Sequence, residues 1–222
     1  MSTCLRAFRK RCRIKSMEYY CIMVKNGGEG TFKKDFEKNL SKLAVLETDK
    51  SQKAALLSTK IFFFKKKMLN SQKKEFEQPL FPGYCFLSTE SFHPKIAEAA
   101  KKTKNFYFFL DNNKDIKQLQ GNDRETLSNL LKFGEVQNVS KARFDKNQKI
   151  VVSEGPLTGF EGSIVKVNRK RGRATVQIKL CSKQMKFDMA FEEITASVED
   201  ELPPKVRHFW KLENGIYMPV PD

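Results

Sequence analysis

Gln78-Pro79-Leu80-Phe81-Pro82-Gly83-Tyr84-Cys85-Phe86-Leu87 is the most concentrated apolar run in the first half of the chain, set between lysine-rich polar segments. Pro82 removes a backbone donor and Gly83 admits a positive φ, so the pair predicts a bulge or tight bend in a strand. Phe81, directly before the proline, is pushed toward extended geometry. Beyond the bend, Tyr84, Cys85, Phe86 and Leu87 are apolar at every position, as in a strand covered on both faces. Two readings stay open. The run is a bulged core strand, or the bend turns Phe81 and Tyr84 outward as aromatic anchors for a partner.

Upstream, Tyr19 to Val24 reads as a first strand and Asn26-Gly27-Gly28-Glu29-Gly30 as a turn. Thr31 to Leu46 reads as a helix, because Phe32, Phe36, Leu40 and Leu43 recur at three- and four-residue spacing. Ile61 to Phe64 is a second strand, followed by a polar hairpin carrying Lys65, Lys66, Lys67, Lys73 and Lys74. Pro94 to Thr103 is a short helix ending in Lys101, Lys102 and Lys104, and Phe106 to Leu110 a further strand. Asp123 to Phe133 is amphipathic through Leu127, Leu130 and Leu131. Strands interleaved with helices make this part α/β. Gly134 to Gln148 lacks a hydrophobic period and reads as a linker. Short alternating strands follow at Lys149–Val152, Ser163–Val167, Ala174–Leu180 and Met185–Met189, the pattern of a small barrel.

The 222 residues carry 42 lysines and arginines against 26 acids, a formal charge of +16. The first sixteen residues hold six cations and no acid, and the remainder is still basic. Such a balance points to polyanionic partners, nucleic acid above all. Each lysine cluster has a plainer reading as a solvated face, and Lys101, Lys102 and Lys104 as cations at a helix C-terminus. Five cysteines without a C-x-x-C pair argue against a zinc ribbon and a disulfide scaffold. No cofactor or metal is expected. Nor is an apolar leader or a membrane segment of ~18 residues, so a soluble, cytoplasmic monomer is expected.

Two segments carry a family resemblance. Pro79 to Tyr84 resembles the F-P-G-Y signature in the N-terminal (NGN) domain of NusG-type transcription factors. Val152-Ser153-Glu154-Gly155-Pro156-Leu157-Thr158-Gly159-Phe160-Glu161-Gly162 resembles their KOW motif. Ile164 to Ala174 is similar to a basic run of the LoaP antiterminators. The resemblance implies an α+β chain: an NGN domain over 17–133 with an antiparallel sheet flanked by helices, a linker over 134–147, and a five-stranded KOW barrel over 148–196. A basic extension (1–16) and a C-terminal tail (197–222), expected to be irregular, lie outside it.

The resemblance further implies that Phe81, Pro82, Gly83 and Tyr84 bind the clamp helices of RNA polymerase. It implies processive antitermination, recruited by a nascent RNA hairpin or by non-template DNA. The cations offered for that contact are Lys65, Lys66, Lys67, Lys73, Lys74, Lys101, Lys102 and Lys104, with Arg169, Lys170, Arg171 and Arg173 on an apparent turn of the barrel. Phe160 matches an exposed loop phenylalanine of the family, with Leu157 beside it, and implies contact with ribosomal protein S10 or Rho. Capping of the barrel mouth is the alternative for Phe160. A ribosome-associated KOW-type RNA-binding protein would account for charge and barrel but not for the first domain. An enzyme is not expected: His93 and His208 are the only histidines, and no phosphate-loop motif is present.

Overall fold

A computed structural model describes residues 17–70, 72, 74–110, 113–194, 210–213 and 216–219. The expectations for residues 1–16, Lys73 and His208 lie outside the described residues. In chain order the elements are β1 (Glu18–Val24), α1 (Glu29–Leu46), α2 (Lys50–Ser58), β2 (Lys60–Phe62), β3 (Lys65–Leu69), β4 (Glu75–Pro79), β5 (Tyr84–Thr89), α3 (Pro94–Lys101) and β6 (Phe106–Phe109). They continue with α4 (Gly121–Leu131), β7 (Val136–Gln137), β8 (Ser140–Phe144), β9 (Ile150–Glu154), β10 (Ile164–Asn168), β11 (Arg173–Leu180), β12 (Lys183–Glu193), β13 (Trp210–Glu213) and β14 (Ile216–Pro219). The chain forms two units. One takes the described residues up to Phe64 and then Pro79–Leu127; the other takes Lys65–Gln78 and the chain from Ser128 onward.

In the first unit a four-stranded sheet has the order β2-β5-β1-β6, with every neighbouring pair antiparallel. Its central strands bury Tyr20, Ile22, Val24, Cys85 and Leu87 against the helices. α1 answers with Phe32, Phe36, Leu40 and Ala44, the expected stripe, and Leu43 is partly buried beside it. Asp49 caps α2, its carboxylate accepting from the Gln52 N–H at 2.9 Å. His93 caps α3, its Nδ1 accepting from the Lys95 N–H at 3.2 Å, and Pro94 fills the first turn.

The second unit holds a five-stranded sheet of order β10-β11-β12-β8-β9 and a three-stranded sheet β4-β3-β7. Among the described residues no ladder joins β9 to β10, so the expected barrel is an open sheet whose β12–β8 pair is parallel. Its core is Ala142, Leu157, Phe160, Val176, Leu180, Phe187, Met189 and Phe191. Residues 134–147, expected as a linker, instead carry β7 and β8. Polar composition hid a one-sided strand there: Ser140 and Ala142 are fully buried, and the Phe144 ring lies 6.0 Å from that of Phe191. The 65–78 hairpin also departs from the expected domain boundary, because β3 pairs in parallel with β7 and the Lys65 N–H donates to the Glu135 carbonyl at 2.8 Å.

The C-terminal tail, expected to be irregular, contributes the antiparallel pair β13–β14 with Glu213 opposite Ile216.

Gly172 closes the turn between β10 and β11. It sits at φ 56°, and an added Cβ would come within 2.5 Å of the Phe191 carbonyl oxygen. Alanine at 172 is therefore expected to lower stability by roughly 1–3 kcal/mol, from left-handed strain and lost room together. Urea denaturation checks it; an unchanged midpoint would mean that the turn relaxes freely.

Candidate functional site

The bend between β4 and β5 is held from three sides. The Leu80 N–H donates to the Phe64 carbonyl at 2.8 Å, and the Val24 N–H to the Gly83 carbonyl at 2.9 Å. The Gly83 N–H donates to the Glu29 carboxylate at 2.6 Å. Glu29 is buried in the first turn of α1, where the helix dipole favours a negative charge. Gly83 adopts φ 81°, the positive value expected of it. Glu29 is a positioning residue that sequence reasoning did not single out for this task.

Phe81 does not turn outward. It is 3% exposed, with its ring centroid 6.2 Å from Phe64 and 5.9 Å from Phe86, both edge-on. Phe62 joins the same cluster, 5.5 Å from Phe64. The aromatic ring is worth more packed edge-on against Phe64 and Phe86 than presented to water, and the bend delivers it inward. Pro82 is exposed and Tyr84 half-buried.

Tyr84 belongs instead to a row that crosses three strands. On β5 it lies opposite Met23 of β1, and Met23 lies opposite Phe108 of β6. Directly paired residues share one face of a sheet. This is the face away from the helices, since the alternate residues Ile22, Cys85 and Phe109 form the helix-facing core. Phe108 is 39% exposed and its neighbour Tyr107 55%. Met23 and Phe108 were missed in the sequence. The available signal was the run Phe106-Tyr107-Phe108-Phe109, too apolar for a strand with a single buried face.

The lysines are mostly committed elsewhere. Lys65 pairs with Glu77 at 3.0 Å and Lys67 with Glu75 at 3.3 Å, across the β3–β4 hairpin. Lys66 points the other way and is half-buried, and desolvation holds its amine below the usual lysine range. Asp188 opposes that shift and Arg173 adds to it. Lys74 is exposed. Lys102 pairs with Glu98 at 2.6 Å, while Lys101 and Lys104 are exposed.

On the turn before β11, Arg169 makes a two-pronged ion pair with Glu193, holding that carboxyl below its usual range. Its guanidinium also lies 4.5 Å over the Phe144 ring. Arg173 donates to the Leu69 carbonyl at 3.3 Å. Lys170 and Arg171 stand exposed at the tip, beside a cleft of about 750 Å³ that also receives Glu75, Glu192 and Glu193. Phe160 and Leu157, expected to contact a partner, are 4% and 0% exposed. The Leu157 N–H donates to Ser140 Oγ at 3.0 Å. Both side chains are part of the buried core of this unit.

The chain thus presents an aromatic sheet face on an α+β unit and a basic turn on a β unit. It is similar to the transcription termination/antitermination protein NusG of Xylella fastidiosa strain 9a5c, 22% identical over 139 residues that span 59% of this chain and 75% of that protein. The NusG of strain Temecula1 matches with the same identity and the same coverage. Among solved structures, one from work on domain interaction in Thermotoga maritima NusG covers 79% of this chain and 94% of its own, at 16% identity and a TM-score of 0.47. No protein-family model matches the chain. No helix among the described residues is long and apolar enough to cross a membrane.

Proposed function

We propose that this chain is a NusG-type transcription elongation factor that binds RNA polymerase through the face carrying Tyr84, Met23 and Phe108. The observation that carries the reading is that cross-strand row, an apolar patch on a rigid sheet beside the F-P-G-Y bend. The similarity to NusG over 139 residues supports it independently. Phe81 contributes by holding the bend from within, and Pro82 and Gly83 by shaping it. Such a factor acts in the cytoplasm and without catalysis. By binding one polymerase conformation more tightly than its paused alternative, it shifts the population between them.

We read the second unit as a KOW module, with the Ile164–Ala174 run as its likeness to the LoaP paralogues and the β9–β10 edges as the place where a closed barrel would seal. Recruitment by a nascent RNA hairpin falls to the exposed tip, Lys170 and Arg171. Lys65 and Lys67 are engaged with glutamates, and Lys66 is partly desolvated. Alanine at 170 and 171 together is expected to weaken hairpin binding several-fold, whatever the sequence, and to reduce the slope of log affinity against log salt by about two. An unchanged salt slope would remove these residues from the contact.

The functional test is transcription across an intrinsic terminator on candidate leader templates, with and without the protein. Readthrough on at least one template is the expected result. Its absence on every template would discard antitermination.

A further inference from the structure

The first unit contains a groove that the polymerase reading leaves unused. It has a volume of about 620 Å³ and lies between the outer side of α3 and the segment carrying Lys114 and Ile116. Phe92, Ala97 and Ile116 line its apolar floor, and Lys101, Lys102 and Lys114 stand around it. The acid among its lining residues, Glu98, is paired with Lys102. The rim therefore keeps a net positive charge over a floor with nothing to offer a polar group.

The floor is rigid. The Phe92 ring lies 4.6 Å from Tyr20 and 5.9 Å, edge-on, from Phe109. The Tyr20 hydroxyl and the Phe92 N–H both donate to the Glu18 carboxylate, at 2.9 and 3.2 Å. Burial together with that carboxylate pushes the Tyr20 phenol well above its ordinary range, so the bond persists across the physiological pH range. The segment bearing Ile116 is tied down by the Leu119 N–H, which donates to the Tyr19 carbonyl at 2.7 Å. Ala97 is the small residue that leaves the space: at 8% exposure it forms the base of the groove while Ile96 and Ala100 beneath it are fully buried.

We propose that this groove docks a short acidic peptide segment of a partner protein, with one bulky apolar side chain seated on Ala97 between Phe92 and Ile116. Its carboxylates are drawn to Lys101, Lys102 and Lys114. Cations around an apolar floor complement an acidic, amphipathic segment, and such pairing sets both encounter rate and register. A nucleic-acid strand is a poorer match. Base binding needs an open aromatic plane for stacking, whereas Phe92 is already engaged by two rings. This assigns Lys101 and Lys102 to a peptide, in place of the nucleic-acid role expected from sequence. The inference does not depend on the polymerase reading.

The test is an amide-resolved NMR titration of the full chain with a short peptide of aspartates and glutamates around one phenylalanine. A serine-for-phenylalanine peptide and an oligouridine RNA serve as comparisons. The expected result is shifts centred on Ala97, Lys101, Lys102 and Lys114. Affinity should fall about tenfold or more both for the serine peptide and for the Lys101→Glu, Lys114→Glu double variant. Both substituted residues are exposed, and an unchanged spectrum away from the groove verifies that the variant is folded. Absence of shifts at these residues would overturn the proposal. Equal affinity for the serine peptide would do the same, as would shifts produced by the RNA and not by the peptide.

Discussion

Replacing Tyr84 and Phe108 together by alanine is expected to weaken binding to core RNA polymerase by roughly a hundredfold or more, with the fold retained. Large, rigid aromatic side chains at the centre of an interface commonly contribute ~2 kcal/mol each, and the ~4 kcal/mol of two additive losses is several hundredfold. Tyr84 is half-buried and Phe108 is 39% exposed, so neither truncation empties a packed core. Both neighbour Met23 across the ladder, and alanine scanning of all three should show coupling among them. Surface-immobilised polymerase and the purified variants provide the measurement. Wild-type affinity in the double variant would move the contact to another face of the unit.

Phe81→Ala is expected to act differently, through stability. Truncating a phenylalanine buried among Phe64 and Phe86 costs about 3–5 kcal/mol, from lost transfer free energy and the cavity left behind. Urea unfolding followed by near-ultraviolet circular dichroism, which reports the ring cluster, measures it. Any loss of polymerase affinity in this variant should track the fraction unfolded. If the variant unfolds with the wild type yet has lost polymerase affinity, Phe81 touches the partner after all.

The contrast between these two residues marks what was legible in the chain. Local grammar identified the bend: a proline, a glycine able to take positive φ, and a fully apolar strand after it. Which way Phe81 points was not legible, because the choice depends on Phe62 and Phe64 being brought beside Phe86 by the pairing of β2 with β5. The α1 stripe was readable, since a helical period with one polar face has a single solution. β8 was not, because Ser140, Ala142 and Phe144 alternate with Lys141 and Arg143 and resemble a polar linker until Gly155 and Phe191 are seen to pack on them. Charge misled in a similar way. Lys65, Lys67 and Arg169 raise the net charge, but each has a glutamate brought to it by strand pairing or by the turn. Pairing of that kind is invisible to composition. The basic residues left at the tip of the turn, Lys170 and Arg171, are fewer than the sequence suggested, and their placement follows from Gly172 allowing the chain to reverse.

The most direct test of the central claim is a binding titration of the full chain against core RNA polymerase and, in parallel, against ribosomal subunits at the same salt concentration. Saturable binding to polymerase, abolished by the Tyr84→Ala, Phe108→Ala double variant and without a matching affinity for ribosomal subunits, is the predicted result. Binding to ribosomal subunits alone, indifferent to those two substitutions, would contradict it.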